Sequence, residues 1–391
     1  MTRFFLALLL VLAWTSAARA EGEIDYAKIL GPRESDALEI TSIAMRLTAY
    51  SQEGLGFQSK AGPVQGPGSE RLTVFEPQLE VRAKQGDRIT HRVWVPVDIV
   101  TSASANAIDR GATPDVITNA SQHNEAGSID WTMQYKAGDT TTVTLRSGAH
   151  LEEEFRSWLV GASVSQGFFE QNTVITLGLL SSLDWFDNFE LDGSRNGIKR
   201  RSTVTGSVGV TQVLSPSTLA SLSYGITTQA GELGNTWNIV PIQGDTVDHE
   251  IMPASRLRHA IVARVAQALP WSAVLKGYYR FYADDWAIVG HTFEVQLLQH
   301  IGKSLYAGFG WRHHTQTGAR FFTTLADPSM APRTADSDLQ ALDSDSFTGR
   351  LGIDIPRGRD GTLHFDIAYE RYFRTNDLSS NVFTCSTAIL F

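Results

Sequence analysis

The sequence offers almost no sulfur chemistry: its 391 residues include a single cysteine, Cys385. A lone thiol excludes an intramolecular disulfide framework and any cysteine-ligated metal cluster. Charge is scarce too, at 19% of residues, below the level of about 25% in ordinary soluble domains. Beyond residue 20 no apolar run approaches the roughly 20 residues that a membrane-spanning helix needs, so a helical membrane protein is excluded. No Pro-rich or Gly/Ser-rich linker divides the chain, and one domain is expected. Catalytic signatures are missing as well, with neither a GxSxG elbow nor an HExxH pair.

What is present begins with an export signal. Arg3 precedes an unbroken apolar run from Phe4 to Trp14, and Ala18-Arg19-Ala20 has the small-x-small form of a cleavage site. Residues 1–20 are expected to be a cleaved signal peptide, 21–36 a short periplasmic segment, and 37–391 the folded domain. Removing Arg3 and Arg19 leaves 31 basic against 42 acidic side chains, a net charge of −11. An exported chain this acidic has no electrostatic case for nucleic acid as a partner.

Along the rest of the chain side chains alternate with a period of two, and turn chemistry separates about sixteen such stretches. In Leu72 to Lys84, residues Phe75, Leu79, Val81 and Ala83 share one face while Glu76, Gln78, Glu80, Arg82 and Lys84 share the other. Ser128 to Lys136 and Leu363 to Glu370 alternate as cleanly, whereas Phe155 to Gln166 and Thr173 to Leu183 are ambiguous in phase. Short connections fall at Gln85 to Asp87, Ala137 to Asp139, Gly167 to Glu170, Ser215 to Ser217, Pro270, Gly302-Lys303 and Pro356 to Gly361. Between them come mostly longer ones, at Gln52 to Arg71, Thr101 to Ala126, Asp184 to Arg201, Ala230 to Arg256 and Gly318 to Asp345. A β-sandwich has no reason for this asymmetry, but transmembrane barrels have short periplasmic turns and longer extracellular loops. The fold class read from the pattern is all-β: a transmembrane antiparallel up-and-down β-barrel of about 16 strands, closed because lipid offers no partner to an open edge. Such a barrel sits in the bacterial outer membrane with both termini periplasmic.

Asn381 to Phe391 (NVFTCSTAILF) is the expected closing strand, with Phe383, Cys385, Thr387, Ile389 and Phe391 on one face. Phe383, Ile389 and Phe391 are the expected insertion signal for the barrel-insertion machinery, and outer-membrane lipid is the other expected partner of this face. Cys385 becomes a small lipid-facing side chain.

The polar phases carry charge of both signs. Arg46, Glu80, Arg82, Arg146, Glu152, Lys276, Arg280, Glu294, Arg312 and Arg350 are the candidates for lining an aqueous lumen, where side chains tune selectivity. Two readings remain open, a water-filled conduit and a plug of cross-wall ion pairs. His313 and His314 are neighbours on a strand and point to opposite faces, so they do not ligate one metal together. Catalytic, cofactor and metal sites are accordingly assigned to no residue. Glu152-Glu153-Glu154 reads as a solvated charge run at a strand end, and Asp338 to Asp345 as acidic surface without the central glycine of a calcium loop. Tyr278, Tyr279, Phe281, Tyr282 and Trp286, with Trp271 at the other end of the strand, read as interfacial aromatic girdles.

Tyr278 to Thr292 (YYRFYADDWAIVGHT) followed by Trp311 to Phe322 (WRHHTQTGARFF) resembles a family of functionally uncharacterised bacterial outer-membrane β-barrels, a domain-of-unknown-function family. Val97 to Ala105, Gly138 to Thr142, Leu214 to Ser217 and Pro253 to Arg258 extend the resemblance over nearly the whole mature chain. Where members usually carry two tyrosines this chain has His313 and His314, so no role is carried over to them. The resemblance implies location and architecture, no catalytic residues, and a genomic setting near thioredoxin-like and flavin-attaching proteins. It favours a barrel that serves a periplasmic redox module. A porin-like channel of unknown solute leads, ahead of a non-conducting scaffold for a periplasmic redox or lipoprotein partner and of an outer-membrane hydrolase.

Overall fold

Sixteen long strands run antiparallel to their neighbours and close into one barrel. The structure, a computed structural model, describes residues 37–54, 58–59, 66–67, 71–103, 124–236, 238–244, 246–357 and 361–391. The expected signal peptide and the segment 21–36 lie outside the described residues. In chain order the barrel strands are β1 (Leu38–Glu53), β2 (Leu72–Gln85), β3 (Ile89–Ala103), β4 (Asn124–Lys136), β5 (Thr141–Leu151) and β6 (Phe155–Phe168). They continue with β7 (Thr173–Phe189), β8 (Arg195–Ser215), β9 (Thr218–Gly231), β10 (Ser255–Leu269) and β11 (Ala273–Asp284). The last five are β12 (Val289–Ile301), β13 (Leu305–Gln316), β14 (Leu342–Arg357), β15 (Gly361–Arg374) and β16 (Ser379–Leu390).

Each strand pairs with its sequence neighbours, and β16 closes the ring on β1 from Ser42↔Leu390 to Glu53↔Ser379. Closure leaves no sheet edge with unpaired backbone groups. At the rim where β1 begins and β16 ends, every connection among the described residues is a tight turn at one of the short connections named above, while 358–360, in the expected connection Pro356 to Gly361, lie outside the described residues. Gly86 and Gly302 take φ of +58° and +67° in two of them, a region that costs glycine little and other residues more.

The opposite rim carries the long connections 54–71, 104–123, 232–254 and 317–341, but its other four connections are short. One expected long loop, Asp184 to Arg201, is largely strand. Asp187 pairs with Arg195 at 3.0 Å and Asp184 with Arg201 at 2.8 Å across β7 and β8, and the turn narrows to 190–194, where Ser194 N–H donates to Asp192. Polar residues that read as loop are cross-strand ion pairs in a raised hairpin.

Apart from Ala83, Pro96 and Ala273, the buried apolar side chains among the described residues all belong to this second rim. Segments 232–254 and 317–341 fold onto one another there as a cap. Ile239–Ile242 pairs with Thr246–His249, and single bridges join Ile242 to Ala326 and Ile251 to Arg333. One cluster gathers Phe189, Ile239, Val240, Ile242, Ala326 and Ala335. A second packs Trp286, Ile288, Ala319, Phe321 and Leu339 against Tyr282 and Met252.

Candidate functional site

Register decides which side chains share the interior. Glu80 lies opposite Trp94 and Trp94 opposite Asp130; Arg82 lies opposite Arg92, Arg92 opposite Thr132, and Thr132 opposite Arg146. Such rows continue around the ring, and Tyr282, Gln316 and Arg374, which share this face, grip the cap. Tyr282 packs in the Trp286 cluster, the Gln316 amide donates to the carbonyls of Asp338 and Gln340 at 2.8 and 2.9 Å, and Arg374 pairs with Asp338 at 2.6 Å. That face is the inner one. The outer face presents Met45, Leu47, Ile129, Trp158, Leu177, Leu179, Phe309 and Leu351, all exposed.

Arg46, Glu80, Arg82, Arg146, Lys276, Arg280, Glu294, Arg312 and Arg350 fall on inner rows. Glu152 follows β5 by one residue and lies 3.6 Å from inward-facing His150. Phe383, Cys385 and Ile389 of β16 fall on the outer face, opposite Tyr369, Ile367 and Leu363.

The inner carboxylates lie low against the wall with arginines above them. Glu80 takes Arg82 at 2.6 Å and Arg92 at 2.7 Å; Asp130 takes Arg146 at 2.6 Å; Asp366 takes Arg350 at 3.6 Å. The Asp130 side chain is 9% exposed and that of Arg146 42%, while Asp366 is 8% exposed and Arg350 51%. The more exposed partner in these pairs is therefore the guanidinium. A charge-assisted pair holds each carboxylate in a site that would otherwise be costly for it. Tyr306 lies across the glycine backbone of β14, where a Cβ at Gly352 would overlap its ring, and its hydroxyl donates to Asp366 at 2.5 Å.

Asp284 anchors the rim. One oxygen accepts from the N–H groups of Trp286 and Ile288 at 3.0 and 2.9 Å, and the other from Arg256 and the Tyr282 hydroxyl. Its side chain is fully buried. The Arg256 guanidinium stacks 4.1 Å from the Trp286 ring centre. The expected aromatic girdle is thus corrected in part. Trp286 is buried in the cap, and Tyr278 and Tyr282 point inward under Arg264 and Arg280, because residues that cluster in sequence alternate across a strand. Tyr279 and Phe281 remain outside.

The expected acidic surface holds at Asp338 and Asp343, which are exposed; Asp338 is tied to Arg374, and Leu339 beside it is buried. Burial, aided by Glu153, Asp187 and Glu152, pushes the Glu154 carboxyl up to about 7. Burial also raises Glu250, whose carboxylate accepts from Thr334 and from the Asn235 N–H. A recess of about 580 Å³ near the same rim is lined by Tyr50, Glu76, Asp98, His150 and Glu152 among others. His313 faces outward beside Asp345 and His314 inward beside Thr292. Among the described residues no group of three potential ligands is arranged to hold a metal ion.

Arg92, Asp130, Arg201, Arg256, Arg258, Arg264 and Asp366 are inner residues that the sequence reading did not single out. A signal existed on β10, where Leu257, His259, Ile261, Ala263 and Val265 alternate with Arg256, Arg258 and Arg264. On β6 and β7 the signal was weak because Leu159 and Leu180 also face inward, opposite Ser182 and Gly161.

Fold and interior together define a closed sixteen-stranded antiparallel barrel with an apolar outer face and a charged inner one. The chain belongs to the family described as protein of unknown function (DUF3570), whose family model matches residues 31–381. None of the curated proteins matches this sequence. Among solved structures it is similar to a BenF-like porin from Pseudomonas fluorescens Pf-5, at 7% identity over 92% of this chain and 100% of that one, with a TM-score of 0.46. It is also similar to OpdK of Pseudomonas aeruginosa, solved with vanillate, at 6% identity, 90% and 98% coverage and a TM-score of 0.43. A third is the CymD monoaromatic hydrocarbon channel, at 10% identity, 94% and 92% coverage and a TM-score of 0.41.

Proposed function

We propose that this protein is an integral outer-membrane β-barrel acting as a porin-like channel or conduit. In this reading both termini are periplasmic, residues 1–20 are removed on export, and 21–36 form a periplasmic lead into the wall. The observation that carries it is the division of one closed sheet into an apolar outer surface and an inner surface of exposed guanidinium groups. Lipid suits the first and water the second, and the strands, 11 to 21 residues long, meet or exceed the roughly 9–11 needed to cross a bilayer at a tilt. Phe383, Ile389 and Phe391 are suited to be read by the barrel-insertion machinery and then to meet lipid. The cap narrows one mouth. Planar-bilayer recording of the refolded chain tests the reading, and discrete conductance steps are expected. Their absence from both the wild type and a cap-loosened variant would refute a channel and turn attention to a scaffold for a periplasmic redox or lipoprotein partner.

A further inference from the structure

Basic side chains gather on one inner wall. Strands β10 to β13 present Arg256, Arg258, Arg264, Lys276, Arg280 and Arg312 inward, against only Asp284 and Glu294. Asp284 is already engaged by Arg256, Tyr282 and two backbone N–H groups. No carboxylate lies within 4.0 Å of Arg264, Lys276, Arg280 or Arg312 among the described residues. Glu294 stands across from Arg312 in register, but its near partner is the Gln296 amide. In a ring of sixteen this wall faces β2 to β5 across the lumen, where the arginines are matched by Glu80 and Asp130.

Two of the unmatched guanidinium groups are also held in place. Arg264 stacks 5.2 Å from the Tyr278 ring centre and Arg280 5.0 Å from that of Tyr282. Stacking uses the guanidinium face and leaves the N–H edge free, so each group keeps a fork ready for a planar or tetrahedral oxyanion. Arg264 and Arg280 lie on a sheet diagonal, beside and two residues from direct register, where Cβ atoms are about 7–8 Å apart. Long side chains from such positions converge on one small anion. The chain as a whole carries a net charge of −9, so this basic wall runs against its average composition.

We propose that the inner wall of β10 to β13 is a binding site for small carboxylate or phosphate anions, with Arg264 and Arg280 as bidentate anchors and Lys276 and Arg312 as attracting charges. The proposal deepens the channel reading and rests on it for its role in passage, whereas the site itself is measurable without conductance. The chemistry is that of a charge-assisted fork, which favours oxyanions over a spherical ion such as chloride.

Two measurements on the refolded full chain test it. In bilayers under a tenfold KCl gradient, the reversal potential is expected to show anion selectivity, and inorganic phosphate or acetate is expected to reduce the chloride current. The double variant Arg264→Gln/Arg280→Gln should weaken phosphate block by about tenfold or more, the worth of one charge-assisted contact. Arg264→Lys should keep the selectivity but lose part of the block, and Lys303→Gln, in the turn between β12 and β13, should change neither. Calorimetric titration with phosphate in detergent reads the same site without current. Conductance steps with no anion preference, or phosphate binding unchanged in the double variant, overturn the site and leave the channel standing. Phosphate binding without conductance steps overturns the channel and keeps the site. If only one of phosphate and acetate acts, the site is specific for that oxyanion.

Discussion

Replacing Trp286 by alanine should release the cap. The indole is 2% exposed, meets Phe321 edge-on at a ring separation of 5.1 Å, stacks under Arg256 and donates its Nε1–H to the Ser255 carbonyl at 3.1 Å. Truncating a buried tryptophan costs about 3–5 kcal/mol, and the Arg256 stack adds about 1–2 kcal/mol where it is shielded from water. Each 1.4 kcal/mol is about a factor of ten, so the equilibrium for cap opening should rise by at least two orders of magnitude. Hydrogen exchange reads this directly. The amides of Ala319, Arg320, Ala326 and Arg333 are bonded to the carbonyls of Leu339, Trp286, Pro241 and Ile251 and should lose protection together. Amides in the middle of β3 and β4 should not change. In bilayers the variant should conduct more than the wild type. Trp271→Ala, at an exposed residue near the other rim, serves as the control. Unchanged exchange at the four cap amides would refute the idea that this cluster holds the segments down.

Asp284→Asn removes the charge that balances the Arg256 guanidinium, whose side chain is 13% exposed, and should cost about 3 kcal/mol or more in urea unfolding from detergent. Glu154 has a raised carboxyl in the folded state, so its contribution is complete below the ordinary carboxylate range and is lost as pH climbs through about 7. Glu154→Gln should therefore match the wild type in melting temperature at acid pH and exceed it at pH 8; equal melting at both values would refute the burial argument. Glu250 has the same sign, and the cap amides should exchange faster, beyond the intrinsic rise, as pH increases, less so in Glu250→Gln. Gly352→Ala should push Tyr306 off the wall and break its bond to Asp366, visible as altered tyrosine fluorescence with the barrel still folded.

Alternation makes the wall legible in the sequence, because one face of each strand is apolar and the other is not, and a slip of one residue would invert both. It places Arg82 and Arg350 in the interior on that ground alone. Phase failed where inner side chains are themselves apolar, as at Leu159 and Leu180. The cap was illegible for a different reason. Ile239, Val240, Pro241 and Ile242 are all buried, and so is Phe321, but they sit in segments with no period, where an apolar residue gives no direction. What matched an arginine with a carboxylate was register between strands, which a single sequence does not encode locally. The aromatic run from Tyr278 to Tyr282 shows both effects, since its composition suggested a girdle while its alternation divides it between lipid and lumen.

The driest part of this molecule is its lid. A wall that rests on surrounding acyl chains and a lid that rests on its own apolar clusters answer to different solvents, and calorimetry should separate them. Detergents of increasing chain length are expected to shift the wall transition while leaving the lid transition where it is. A lid that melts first would leave an intact cylinder, so heating short of denaturation becomes a way to open the mouth.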